Sequence, residues 1–343
     1  MAKIVTLREQ RVMPHGSALD RFHHYDGTTY HGRSQLKPAP FENGIVGTYI
    51  FLAGLSGAAA VLSVLAATTG QSSLRRVERR SRYLALAAPI LGAPLLIYDL
   101  RTPKRFYNML RVAKGTSPMS IGTWVLMNYS GFSVLSAAAQ AASDVWGANQ
   151  RLQSVARFAA VPEALAGAVL ATYTASLMSA TSTPVWAAAP EALAVRYGAS
   201  SMASAAAALT LGEIDPGVRG KLQAITAGAL AVEAVAGTIA HRTYYRKGVE
   251  AAFQSPSGIA EKLGAKGLGV LLPLGLLAAS ALLGRRRGAL STAAAIATIA
   301  GSAMLRVSML GVGDQSAARP DISFRFSTPS NLAEAEQDQR GSP

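Results

Sequence analysis

A multi-pass, all-helical membrane protein is the fold class that this sequence predicts. Three observations carry that reading. Half of the 343 residues are hydrophobic and only 15% are charged. The charges gather in short clusters between long apolar runs, whereas a soluble domain distributes them along every amphipathic helix. Small residues recur at helix-packing spacing, as at Gly54, Gly57 and Ala58, at Gly228, and through the alanine-rich run after Met202. In lipid, apolar burial does not drive helices together, so close backbone approach has to hold a bundle.

Eight apolar runs are expected to span, at 45–69, 83–98, 120–143, 155–180, 189–211, 222–241, 267–284 and 289–310. Crossing takes about 17–20 residues. The runs 83–98 and 267–284 are short and hold Pro89, Pro94 and Pro273. A membrane helix tolerates proline where its neighbours satisfy the freed carbonyl. The membrane domain is therefore 45–310, between a polar N-terminal tail (1–44) and a flexible polar C-terminal tail (311–343). The first 40 residues hold no apolar core of a signal peptide, so the first span is expected to act as its own insertion signal.

Two short connections are basic. The one at 70–82 holds Arg75, Arg76, Arg79, Arg80 and Arg82, and the tight turn at 284–288 holds Arg285, Arg286 and Arg287. With an even number of spans both lie opposite the N-terminus, and short basic loops face the cytoplasm. Both termini are then expected outside.

Composition also excludes some chemistry. The formal charge is +14, but the positives flank apolar runs and form no continuous stripe, which argues against nucleic acid. There is no cysteine, hence no disulfide and no thiolate-held iron–sulfur cluster on this chain. Four of the five histidines (His15, His23, His24, His31) lie in the polar N-terminal tail, and His241 lies only at the end of a span. An intramembrane haem held by paired axial histidines is therefore not expected, and no metal site is assigned. No phosphate loop, HExxH or nucleophile–base arrangement is present. Redox chemistry would need a cofactor on a partner.

Ionisable groups inside spans are costly and mark function or buried pairing. The candidates are Asp99, Glu163, Glu233, Arg196 and Arg306. Glu233 follows eleven uncharged residues and reads either as a structural acid or as a proton-path or ligand carboxylate. Glu163 sits lower in its span, beside Pro162, where it could be interfacial. The fourth span carries Thr172, Tyr173, Ser176 and Ser179, mostly on one face. Such hydroxyls commonly bond back to their own helix, but a buried phenol needs a partner. A quinone carbonyl and a neighbouring helix are equally good partners for Tyr173 on this ground alone.

The stretch 98–124, YDLRTPKRFYNMLRVAKGTSPMSIGTW, holds five Lys or Arg residues after one Asp. Its Asp99, Leu100, Pro103, Arg105, Phe106, Met109 and Leu110, continued by Thr116, Ser117, Pro118, Met119, Ser120, Gly122 and Trp124, resemble the polysulfide-reductase membrane-subunit family (NrfD/PsrC type). The stretches 30–60 and 172–187 are similar to the family's approach to its first span and to its fourth span. The resemblance covers about residues 30–310. It implies eight transmembrane helices arranged as two four-helix bundles, in the bacterial plasma membrane. It further implies a subunit without redox cofactor of its own, which binds menaquinone or ubiquinone near one membrane face. Its implied partners are a ferredoxin-like iron–sulfur subunit, a molybdopterin subunit and membrane lipid. Carried over residue by residue, the implied quinone pocket draws on Asn43, Asp99, Arg105 and Tyr173, with Asp99 taking a proton and Arg105 tuning it. Glu233 and Glu163 are the proton-path candidates. A secondary transporter and a purely structural anchor are the competing readings; the short proline-bearing spans and the intramembrane acids favour the former.

Overall fold

The computed structural model describes residues 42–327 apart from 101, 148 and 283–286, together with residues 36, 37 and 39. The four tail histidines, Arg101, Arg285, Arg286, the side chain of Arg287, and residues 328–343 lie outside the described residues. The described chain is helical throughout. It comprises α1 (Asn43–Thr68), α2 (Arg75–Ala85), α3 (Ala93–Asp99), α4 (Pro118–Val145), α5 (Gln150–Ser179), α6 (Pro184–Ala188), α7 (Pro190–Leu211), α8 (Pro216–Arg246), α9 (Pro256–Ala260), α10 (Leu272–Leu282), α11 (Arg287–Ala318) and α12 (Pro320–Ser327). Six helical stretches are long and apolar enough to cross a membrane: Asn43–Thr68, Ser72–Asp99, Gln150–Ser179, Pro216–Arg246, Pro256–Leu282 and Gly288–Ala318.

Local chemistry sets most boundaries. Ser117, Asn149, Asp215 and Ser255 accept from backbone N–H groups at the starts of α4, α5, α8 and α9. Proline follows directly at Pro118, Pro216 and Pro256, where the missing N–H costs nothing. Two π-helical stretches, Ala88–Gly92 and Glu261–Leu271, join α2 to α3 and α9 to α10. Each lies beside a proline that removes a backbone donor, Pro89 within the first and Pro273 just past the second.

Three sequence expectations change here. The arginine-rich connection at 70–82 is largely helix, because Val77, Glu78, Ser81, Arg82 and Ala85 form a buried stripe while Arg75, Arg76 and Arg79 point out. The second span therefore begins well before residue 83, and the seventh begins at Pro256 in place of residue 267. The polar tail expected from residue 311 is packed helix over most of 311–327. Helix α11 runs to Ala318 and α12 buries Pro320, Ile322 and Ser323.

Helix α1 is central and packs on α2, α5, α7 and α11. Its crossing with α5 is close enough that a Cβ on Gly57 would lie 2.3 Å from the Gly167 carbonyl oxygen. Gly228, by contrast, has nothing within 4 Å of such a Cβ and takes no part in packing. Helix α4 packs on α5, and α7 on α8 and α11. One end of the molecule collects the start of α1, the ends of α3, α5 and α11, and the start of α4. The other end collects the start of α2 and the end of α7, joined by Arg80 and Glu213 at 3.9 Å.

Candidate functional site

At the first of these ends, a tyrosine has polar side chains of two other helices within electrostatic reach. Tyr49 of α1 lies within electrostatic reach of both Asp99, the last residue of α3, and Tyr173 of α5. All three are partly buried. Asp99 also faces the backbone N–H and the carboxylate of Glu42, just before α1. Tyr173 is fixed more tightly. Its hydroxyl donates to the carbonyl of Pro118 at the start of α4. Its ring lies over Gly122, where an added Cβ would come within 2.2 Å of the ring carbon Cζ.

Two other hydroxyls of the polar stripe on α5 bond back to their own helix. Thr172 donates to Ala168 and Val169 carbonyls at 3.3 and 3.2 Å, and Ser179 to Ala175 at 2.7 Å. Tyr173 is thus the hydroxyl whose bond leaves its own helix. A phenol donor and a carboxylate acceptor at one membrane end suit a ligand that offers a carbonyl in one state and a hydroxyl in the other.

The other residues expected at the pocket are placed differently. Asn43 opens α1, and its Nδ2 donates to Asp314 Oδ2 of α11 at 2.8 Å, while the Ala39 N–H donates to Asp314 Oδ1 at 3.1 Å. Six residues separate Asn43 from Tyr49, which at 100° per residue turns them to different faces of α1. Asn43 therefore looks to α11 and Tyr49 to α3 and α5. Arg105 is exposed on the 3-10 turn Pro103–Arg111, with a backbone kink at φ −108°, ψ 16°. No ion pair joins it to Asp99.

The two proton-path candidates lie in separate clusters. Glu163 of α5 is 1% exposed, enclosed among the helices. Ser133 and Ser136 of α4 flank it, their hydroxyls at the margin of hydrogen bonding to its carboxyl oxygens. Its nearest guanidinium, Arg82, is already bound to Glu78 at 2.6 Å and to Gln140. Glu233 of α8 instead lies near two buried arginines, Arg196 and Arg306. Arg196 pairs with Glu261 at 2.7 Å, both fully enclosed. Arg306 is held by Ser200, Ser201, Ser302 and the Tyr197 carbonyl, all at 2.7–3.0 Å, and stacks on the Tyr197 ring at 5.0 Å.

Sequence reasoning missed Tyr49, Asp314 and Glu261. Tyr49 stands in an apolar run with nothing local to mark it, and Asp314 sits in a glycine-rich segment that reads as a tail. Only Glu261 carries a usable signal, an acid five residues before Lys266 at the start of an apolar run; Lys266 Nζ lies 3.6 Å from its Oε1.

Comparison with curated protein sequences returns no match. Comparison with family models gives one that spans residues 33–317, described as polysulphide reductase, NrfD. That range takes in every helix from α1 to α10, nearly all of α11, and all three members of the Tyr49, Asp99 and Tyr173 group, and on it the chain belongs to the NrfD family.

Proposed function

We propose that this chain is the quinone-binding membrane subunit of an iron–sulfur/molybdopterin-type oxidoreductase, exchanging electrons between the membrane quinone pool and a partner iron–sulfur subunit. Family membership supports the coarser part, a membrane subunit of a quinone-linked complex. The observation that carries the finer part is the meeting of Tyr49, Asp99 and Tyr173 at one membrane end. A quinol must lose two protons as it loses two electrons. Asp99 is the acceptor for one of them, and the Tyr173 hydroxyl, freed from Pro118, donates to a quinone oxygen. The absence of cysteine in the sequence leaves clusters to the partner.

Two further helices complete eight spans in this reading. Helix α4 has 28 residues and α7 has 22, each enough for about 30 Å of hydrocarbon. Their polar side chains lower their hydropathy but point inward: Tyr129, Ser133, Ser136 and Gln140 on α4, and Arg196, Ser200, Ser201 and Ser204 on α7, are buried. The spans then divide into two groups of four, the first through α5 and the second from α7. They meet where α1 and α5 pack on α7 and where α1 packs on α11. The arginines of α2 support a cytoplasmic start for that helix, which puts the tyrosine–aspartate group and both ends of the membrane domain outside, in a bacterial plasma membrane.

The test is quinol oxidation by the reconstituted complex carrying Asp99→Asn. An assembled variant that keeps full activity refutes the mechanism. The competing transporter reading requires substrate flux into vesicles that hold this chain alone. A purely structural anchor requires an assembled complex that binds neither quinone nor a quinone-site inhibitor.

A further inference from the structure

We propose that the cleft between the C-terminal turn of α1 and the third and fourth turns of α5 is a binding site for the phosphate headgroup of an anionic lipid. The cleft holds about 190 Å³ and lies at the end of the molecule opposite Tyr49, Asp99 and Tyr173. Its polar wall is Arg82, Arg157 and Thr68, and its apolar wall is Val64, Ala160 and Val161.

Charge and hydrogen bonding both point to an anion. Arg82 and Arg157 share one carboxylate oxygen, Glu78 Oε1, at 2.6 and 3.1 Å. Two guanidiniums of the cleft wall thus converge on one carboxylate, which is itself outside the lining. Asp144 is engaged elsewhere, by Arg79 at 2.8 Å, and Glu163 does not line the cleft. Arg82 is 2% exposed, and its Nε has no hydrogen-bond partner. Arg157 is bonded through Nε alone, so its terminal nitrogens remain as donors, on a side chain 52% exposed. The open donors of the cleft are therefore those of Arg157, and a guanidinium fork matches phosphate oxygens.

The apolar wall selects a lipid over free phosphate. Val161 is half-exposed, and Leu65 and Phe158, next in sequence to the lining residues Val64 and Arg157, are exposed apolar side chains. An acyl chain lies along such a strip while its headgroup meets the arginines, as in other basic pockets between membrane helices.

The experiment uses the full chain in nanodiscs of phosphatidylcholine doped with phosphatidylglycerol, with the retained lipid counted by native mass spectrometry. Wild type is expected to retain phosphatidylglycerol over phosphatidylcholine. Arg157→Gln lowers that retention about fivefold, the factor for one interfacial cation. Arg157→Lys, which keeps the charge, falls between them, and Arg151→Gln, exposed and outside the cleft, leaves retention unchanged. Val161→Trp narrows the apolar wall and lowers lipid retention. An Arg157→Gln protein that holds phosphatidylglycerol as well as wild type overturns the proposal. Inorganic phosphate that displaces the lipid, and that binds Val161→Trp as well as wild type, reassigns the cleft to free phosphate and overturns the lipid assignment.

Discussion

Gly122→Ala tests the seat of Tyr173 by adding one methyl group. In the wild type that position would bring Cβ to 2.2 Å from Cζ, 2.3 Å from the hydroxyl oxygen and 2.4 Å from Cε1 of the ring. Non-bonded carbons settle near 3.5 Å, so the ring must retreat by about 1.3 Å. A phenol ring moves as a rigid plate, and its hydroxyl is tied to Pro118 on the same helix that carries Gly122. The retreat therefore breaks that bond. Overpacking costs about 1–3 kcal/mol and the lost hydrogen bond about 1 kcal/mol more, for a total of about 2–4 kcal/mol.

A double-mutant cycle with Tyr173→Ala isolates this pair, read as unfolding free energy in mixed micelles. Removing the ring first empties the space, so Gly122→Ala in that background is expected to change stability by less than about 1 kcal/mol, its sign favoured by alanine's helix propensity. The coupling energy should then equal most of the single-mutant cost. In the proposed quinone site the same displacement shifts the Tyr173 ring from the place where its hydroxyl, released from Pro118, would reach a quinone oxygen, and kcat/KM for quinol is expected to fall about tenfold for each 1.4 kcal/mol of lost transition-state contact. A Gly122→Ala protein as stable as wild type, with effects that simply add to those of Tyr173→Ala, refutes the packing argument.

Three other outcomes follow from the buried charges. Glu261→Ala leaves Arg196 without its direct ion-pair partner and is expected to cost about 3–5 kcal/mol, with Arg196→Met in the same chain recovering most of it; denaturation of the single and double variants measures both. Asp314→Ala releases the Ala39 N–H and the Asn43 amide and is expected to cost about 1–3 kcal/mol, seen as faster protease cleavage before α1. Glu233→Gln is expected to destabilise, whereas Glu163→Gln is expected to be neutral or stabilising; parallel unfolding curves decide this, and equal losses for both would contradict the structure's assignment of their surroundings.

The bundle was legible in the sequence because hydropathy is a local property. Apolar runs declare themselves without knowledge of what they touch, and so did Asp99 and Tyr173, each an anomaly within its own window. What was not legible depends on contacts far along the chain. Asp314 reads as part of a polar tail until α1 arrives from 271 positions away to meet it. Tyr49 is unremarkable in an apolar helix until α3 and α5 bring Asp99 and Tyr173 beside it. The helix Arg75–Ala85 failed for a different reason. Its charge cluster hides it from a hydropathy window, although Glu78 and Arg82, four residues apart, form the ion pair that a helix needs.

Glu163 and Glu233 show how far one sequence signal can divide. Both are lone acids in apolar runs, and by that criterion they are the same observation. Their surroundings make them opposites. Glu233 lies among guanidiniums that are themselves expensive to bury, so its charge offsets theirs, and removing it leaves Arg196 and Arg306 with less compensation. Glu163 has serine hydroxyls at the margin of hydrogen bonding beside its oxygens, and the guanidinium within its electrostatic reach, Arg82, is committed to Glu78 and Gln140. An amide there keeps the volume and removes a group whose charge the helix pair does not support. A carboxyl that must be free to gain and lose a proton is better placed at the second site than at the first, where every change of charge disturbs a balanced network. Of the two candidates, Glu163 is the one whose surroundings suit proton transfer, and Glu233 is the one whose surroundings suit holding the second group of helices together.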